Sequence, residues 1–253
     1  MTTMASSPFF HLTKPFTRTT LRNIRKALES DHGHHPTRKA AGNAAVLIPF
    51  CNVGGSPGIL FEVRGKTLRS HSGEVSFPGG RVDPTDPNHL AAALRETHEE
   101  LSILPQHVEV LGSLGPPEIN LRGDMVVHPF VGFIHSDISQ SLSLAEDEPL
   151  PSTQLPTATE ISQPEVDTVF HLPLKALTSP LRLRSSMFRG HRPYWAIGVS
   201  DLVPGDSENH VIGKSSVSTE DDSEVGPGKY GALEIWGLSG WYLSLLMRKL
   251  RLY

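Results

Sequence analysis

The chain has 253 residues, with 23 Lys and Arg against 27 Asp and Glu and a net charge of -4. That length suits one domain with a real core, or one domain carrying large inserts, and the mild acidity gives no reason to expect nucleic acid or an acidic membrane as a partner. The one cysteine, Cys51, excludes an intrachain disulfide and a cysteine-based zinc site. Its place in an apolar run marks it as a core residue and fits a reducing compartment. No apolar run approaches the ~20 residues that span a bilayer.

Residues 1–30 form a basic segment. Residues 1–28 carry Lys14, Arg18, Arg22, Arg25 and Lys26, are rich in Ser and Thr, and contain no Asp or Glu. Two readings stand side by side. One is a mitochondrial transit peptide. The other is an N-terminal helix of the fold from about Thr17 to Ser30, with Leu21, Ile24 and Leu28 at helical spacing. Polar residues 31–42 read as a linker into a single domain over 40–253. Residues 43–51 and 58–64 are expected strands, joined by a hairpin turn in Asn52–Pro57, NVGGSP.

Residues 65–80 are expected as a long loop ending in Phe77-Pro78-Gly79-Gly80. The spacing then predicts a helix over 89–101, with Asp86 as its cap and Pro87 in its first turn. Residues 108–114 and 125–135 read as strands, the second buried on both faces. Residues 136–164 are rich in Ser, Thr, Pro and acids and read as a mobile insert. A short strand and short helix follow in 165–178, then a hairpin in 187–202. Residues 204–229 read as a second flexible insert. Residues 232–236 are an expected strand and 238–250 an apolar helix, with Arg248 and Lys249 placed to suit its C-terminus. The C-terminal Arg251-Leu252-Tyr253 is not a Ser-Lys-Leu type peroxisomal address.

The most informative stretch is Arg95-Glu96-Thr97-His98-Glu99-Glu100. At about 100° per residue, Glu96, Glu99 and Glu100 share one arc of the helix. Leu90, Leu94, Thr97 and Leu101 share a second arc, expected to pack on a sheet. Acids spaced this way repel by several tenths of a kcal/mol per pair. Mg²⁺ removes that cost, because it takes hard oxygen ligands from carboxylates together with substrate phosphates. An acidic run by itself reads as a solvated helix face. The two glycines before the helix, and Arg95 inside the cluster, turn the reading toward phosphate chemistry. Arg95 can bridge to a neighbouring acid and fix its rotamer.

The pattern Gly80-x5-Asp86-x8-Arg95-Glu96-Thr97-x-Glu99-Glu100-x-Ser102-Ile103 resembles the Nudix box, G-x5-E-x7-R-E-U-x-E-E-x-G-U with U aliphatic. The R-E-x-x-E-E core is intact. Asp86 stands for the first Glu, one extra residue precedes Arg95, Thr97 replaces the aliphatic residue and Ser102 the last Gly. Upstream, residues 60–80 read LFEVRGKTLRSHSGEVSFPGG. This is similar to the signature of the coenzyme A pyrophosphatase branch, L-L-T-x-R-[SA]-x3-R-x3-G-x3-F-P-G-G. Arg64, Arg69, Gly73 and Phe77–Gly80 fall in register, while Phe61, Glu62 and Gly65 depart. Residues 165–174 and 235–240 also look like later segments of that branch.

The resemblance implies an α/β fold, a Nudix α/β/α sandwich with a mixed central sheet, here carrying two flexible inserts. It implies Mg²⁺ or Mn²⁺ held by Glu96, Glu99 and Glu100. The general base is Glu96 or Glu99, or a carboxylate from another loop, and Arg95 holds an acid in place. Arg64 and Arg69 are implied to bind substrate phosphates, which guanidinium matches bidentately. Gly73, Gly79 and Gly80 allow close backbone approach or positive φ. Phe77 and Pro78 are packing residues. Glu118, Asp124 and Glu146-Asp147-Glu148 are further acids that either complete the site or lie on the surface. His71 and His98 read as bystanders.

The implied reaction is hydrolysis of CoA or acyl-CoA to 3′,5′-ADP and a 4′-phosphopantetheine product. The alternatives are another nucleotide, such as an oxidised dNTP or a dinucleotide, and a non-catalytic nucleotide-binding module. The basic N-terminus points to mitochondria; the family also works in peroxisomes, and the cytoplasm is the third location. The sequence sets no oligomeric state.

Overall fold

The structure is a computed structural model describing residues 7–29, 41–68, 71–120, 122–204 and 232–253. Strands β1 (Gly42–Val53) and β2 (Ser56–Arg64) form the expected hairpin, paired from Val53↔Ser56. Its turn is Gly54-Gly55, both at positive φ, 56° and 74°, where glycine meets no Cβ penalty. Asn52, expected in the turn, is instead a fully buried strand residue.

β1 lies in the middle of a mixed sheet in the order β3 (Val75–Ser76), β2, β1, β7 (Met125–Ile134), β5 (Val108–Ser113). β1 and β7 run parallel, and the other pairs are antiparallel. β4 (Gly79–Arg81) pairs with β1, β6 (Glu118–Ile119) with β7, and β8 (Val166–Pro173) with β2. The segment expected as one long loop, 65–80, therefore carries β3 and the start of β4. A parallel pair needs a crossover between its strands, and helix α2 (His89–Leu101) lies in the β1-to-β7 connection.

Side chains alternate along β1. Ala45 packs on Ala92 and Ala93 of α2, and Cys51 joins Leu60, Leu101, Ile134 and Val166. Ile48 and Phe50 point the other way, into the main core with Leu21 and Ile24 of α1 (Arg18–Glu29) and Leu243 and Leu246 of α4 (Gly237–Lys249). The sheet is thus covered on both faces, as the α/β/α expectation requires. One addition was not foreseen. A second sheet of three strands, in the order β11 (Glu234–Ile235), β10 (Arg192–Gly198), β9 (Leu183–Phe188), packs with α4 on the far face. The hairpin expected over 187–202 is the β9–β10 pair, shifted to 183–198. β7 alternates over its first half and is buried on both faces only from Val131.

The N-terminal segment is helical where expected. Phe10, Phe16, Leu21, Ile24 and Leu28 all lie in the main core. Asn52 stitches this segment down, accepting from Phe16 N at 2.9 Å and donating to Phe16 O and Leu150 O at 3.2 and 2.9 Å. A cut after residue 28 would remove this whole apolar layer. Each such side chain contributes about 1.5–3 kcal/mol, so the loss would rival the ~5–15 kcal/mol by which domains are stable.

Residues 136–164, expected as a mobile insert, carry α3 (Ile138–Ser143) and bury Leu150 and Ile161. Glu146 pairs with Arg18 and Arg22 of α1. This stretch is built into the body rather than hung from it. The linker reading of 31–42 falls almost wholly on residues outside the described ones, as does the second insert from 205 onward. Among the described residues, no helix is long and apolar enough to cross a membrane.

Candidate active site

α2 is capped by Asn88, not by Asp86. Asn88 Oδ1 accepts from Ala91 N at 2.9 Å and so caps the helix. Asp86 is thereby free for Arg95, whose Nε and Nη2 donate to its two oxygens at 3.0 and 2.9 Å. The pair forms despite the shorter acid and the extra residue in the spacing. Arg95 Nη1 also donates to Glu96 Oε1 at 3.0 Å and Glu99 Oε2 at 2.9 Å, and Nη2 to Arg81 O at 3.1 Å. The hydrogen bond from Arg95 holds the Asp86 carboxyl below its usual range. Arg95 is therefore a positioning residue that clamps three acids, not one.

The helix buries Ala92, Ala93, Thr97, Glu100 and Leu101, while Leu90 and Leu94 are only half-buried. The apolar arc is rotated from expectation, because two alanines let α2 sit close to β1. Thr97 Oγ1 donates to Ala93 O at 2.7 Å, which satisfies the hydroxyl inside the packed face. The rotation separates the three glutamates. Side-chain exposure is 52% for Glu99, 19% for Glu96 and 6% for Glu100. Ser102 ends the helix at φ 54°, the left-handed position that favours glycine, and its Oγ donates to Glu160 O.

Gly79 and Gly80 set the acids from below. Gly79 has φ 146°, its N–H donates to Glu100 Oε2 at 2.8 Å, and a Cβ there would meet Ala45 O at 2.3 Å. A Cβ on Gly80 would lie 2.5–2.7 Å from the Glu96 carboxylate. Both glycines are thus required by β1 and by the acids. Gly73 differs. It takes φ 71° and donates to Arg64 O at 3.0 Å, with open space where a Cβ would be. It serves the turn between β2 and β3.

Arg64 lies between two acids, with Nη1 3.5 Å from Glu62 Oε1 and 3.9 Å from Glu100 Oε1. Glu62 was not singled out from the sequence as a site residue, although an acid inside the apolar run Leu60-Phe61-Glu62-Val63 was a signal. It is fully buried, accepts from Ser76 Oγ at 2.9 Å, and leaves Oε2 without a partner. Burial, then the neighbouring acids, push Glu62 up to about 7 against the pull of Arg64. Burial and Glu62 push Glu100 up to about 9. Glu96 is also raised, first by burial. Glu165, just before β8, acts on both Glu62 and Glu96. It reaches the site because Gly65 lets the chain approach, with a Cβ there only 1.9 Å from Pro164 O, and Gly65 N donates to Glu165 O at 2.8 Å.

The remaining candidates scatter. Arg69 lies outside the described residues. Glu118 is bound by both Nη atoms of Arg192, at 2.5 and 3.1 Å, and by Trp241 Nε1 at 3.2 Å, so it is a structural anchor of α4 and not part of the acid cluster. Asp124 holds Asn120 in the β6–β7 turn, Glu146 pairs with α1, and Glu148 accepts from Ala145 N. His71 pairs with Glu74 at 2.9 Å, and His98 is exposed. Phe77 is buried and stacks on Phe61 at 4.5 Å, as a packing residue should. The buried Cys51 thiol is pushed up to about 12 by desolvation, so it is inert.

Among the described residues, no three acid, histidine or cysteine side chains form a ready-made metal cage. The acids turn to Arg95, Arg64 and the Gly79 N–H instead. What fits a cation is the charge balance. After burial, Glu62 and Glu96 raise Glu100, and Glu165 and Glu96 raise Glu62, and one buried carboxylate oxygen has no donor. A hard divalent ion supplies what this set lacks.

These features define a class: an α/β protein whose acid-bearing helix is seated against a Gly-Gly strand. The model of the NUDIX domain matches residues 42–184, more than half of the 253, and the chain belongs to the Nudix family. A relative from Cronobacter sakazakii, named uncharacterized Nudix hydrolase NudL, is 45% identical over 46% of this chain and 57% of its own length. The protein of the same name from Klebsiella pneumoniae is 40% identical over 55% of this chain and 62% of its own. The chain thus spans about 57–62% of the length of these curated relatives. Among solved structures, the NUDIX domain of Shewanella oneidensis NrtR complexed with ADP ribose is 19% identical, covering 55% of this chain and 77% of that one, at TM-score 0.37. A MutT/nudix family protein from Enterococcus faecalis is 20% identical over 54% of this chain and 46% of that one, at TM-score 0.35.

Proposed function

We propose that this chain is a Nudix pyrophosphohydrolase that uses Mg²⁺ or Mn²⁺ to cleave CoA or acyl-CoA, releasing 3′,5′-ADP and (acyl-)4′-phosphopantetheine. The observation that carries the catalytic reading is the pair of under-compensated acids Glu96 and Glu100, with Glu99 beside them, held by Arg95 and the Gly79 N–H. A bound divalent ion neutralises pyrophosphate oxygens and makes attack by water affordable. Glu96 and Glu100, with Glu99 at the rim, are the residues that hold it. Glu96 is the better general base of the two candidates. It sits over Gly80, is partly buried and has its carboxyl raised by that burial, whereas Glu99, which shares the same Arg95 Nη1, is more than half exposed.

The CoA assignment is supported by the upstream signature, Arg64, Gly73 and Phe77–Gly80 in register with the CoA pyrophosphatase branch. Arg64 stands at the edge of the acids, and its contacts with them are long enough to yield to a phosphate. Incubation with CoA and Mg²⁺ or Mn²⁺, followed by chromatography, tests the reading. The expected product is 3′,5′-ADP. Turnover of an oxidised dNTP or a dinucleotide, with CoA untouched, overturns the substrate. No turnover of any of these at any metal concentration overturns the enzyme.

A further inference from the structure

The proposed cation site draws its acids from α2, yet a fourth carboxylate faces it from the sheet. Glu62 sits in β2 opposite Ser76 of β3 and Val169 of β8, and it is fully buried. One of its oxygens is fixed, with Oε1 accepting from Ser76 Oγ at 2.9 Å and lying 3.5 Å from Arg64 Nη1. The other, Oε2, has no partner although solvent does not reach it. A buried carboxylate oxygen in that state is costly unless something charged or donating meets it. The same guanidinium serves Glu100 Oε1 at 3.9 Å, so two acids share one arginine beyond hydrogen-bond reach. Arg64 Nε is itself buried and unpartnered. The ensemble is built around a positive charge that Arg64 alone does not supply.

Resting on the reading of α2 as a cation site, we propose that Glu62 is an additional, strand-borne donor to the divalent ion, acting with Glu96 and Glu100. Ser76 and Arg64 orient its carboxylate, as outer partners do for metal ligands. β2 is paired on both sides, with β1 and with β3 and β8, so this donor rides on a rigid element. Glu99, more than half exposed to solvent, is the weaker donor of the box.

The test is Mn²⁺ binding to the full chain without nucleotide, read by electron paramagnetic resonance of the free ion. The expected result is a Kd weakened at least about 10-fold in Glu62→Gln, with a smaller Mn²⁺-induced rise in melting temperature. The metal-free variant should melt no lower than wild type, since Gln keeps the shape and can still accept from Ser76. Wild-type Mn²⁺ affinity in Glu62→Gln, alongside loss of binding in Glu100→Gln, overturns the assignment of Glu62 and leaves the α2 site standing. No Mn²⁺ binding by wild type, or unchanged binding in Glu100→Gln, overturns both. If the Gln variant does not fold, Glu62→Thr carries the same comparison.

Discussion

Glu62 and Glu118 are both buried glutamates on strands of one sheet, and they are compensated in opposite ways. Glu118 receives a two-point clamp from Arg192 and a third bond from Trp241 Nε1, at 2.5, 3.1 and 3.2 Å. Arg192 in turn lies 4.7 and 4.6 Å from the centres of the stacked Phe188 and Trp241 rings. Glu62 has one hydrogen bond, one distant arginine and one oxygen with nothing. A saturated buried charge holds elements together. A buried charge left short of partners marks a place shaped for something that comes and goes.

The contrast can be broken by experiment. The largest expected effect is at Glu100→Gln. Its kcat should fall on the order of 10²–10³-fold, the scale of losing one group that stabilises transition-state charge, while the melting temperature holds or rises. A lowered melting temperature with activity intact would place Glu100 among the structural acids. Glu118→Ala should do the reverse. Urea unfolding should show a loss of about 3 kcal/mol, because Arg192 is left unpaired, and kcat per folded molecule should stay at the wild-type value.

Gly80→Ala and Gly73→Ala sharpen the comparison within the glycines. The first drives a methyl into the Glu96 carboxylate and should lower kcat up to about 10²-fold, as displacement of a catalytic group does. The second meets open space and should cost only about 1–2 kcal/mol of backbone strain, with kcat unchanged. Equal kinetic defects in the two would sink the distinction.

Next comes pH. Glu62 and Glu100 hold protons more tightly folded than unfolded, up to about 7 and about 9 against 4.5. Their contribution to stability is therefore fully present below pH 4.5 and lost as pH rises through about 7 and about 9. Metal-free melting temperatures between pH 5 and 9 should fall more steeply in wild type than in Glu100→Gln, and Mn²⁺ should flatten the wild-type curve. A wild-type slope identical to that of Glu100→Gln would refute the acid pair. The smallest effect is at Ser102→Gly. It relieves a left-handed residue and loses the bond to Glu160 O, so stability should change by less than about 1 kcal/mol, measured by thermal melting.

Much of this was legible in one dimension. The period of Leu21, Ile24 and Leu28 located α1, and the glycines of NVGGSP located the first turn. The R-E-x-x-E-E run located the acidic helix, though not its cap, because propensity and charge spacing act over a few residues. Elements whose cause is remote were misread. Asp86 looked like a cap because it precedes a proline, yet a residue nine positions on claims it. Residues 136–164 looked mobile by composition, yet Asn52 and α1 bind them down. Glu118 reads as a site acid or a surface acid, yet Arg192, far along the chain, is brought against it and makes it a buried strut.

The sequence by itself determined the family, the acid-bearing helix and the glycine pair, since these rest on local spacing. Only the tertiary structure decided which acids are spent. Carboxylates of similar local signal became a rim acid, a half-buried acid over Gly80, an anchored buried acid and a saturated strut. That difference comes from burial and from partners contributed by distant segments: Arg192 for Glu118, the Gly79 N–H for Glu100, and Ser76 with Arg64 for Glu62. Desolvation depends on what packs above a residue, and no spacing rule carries that information.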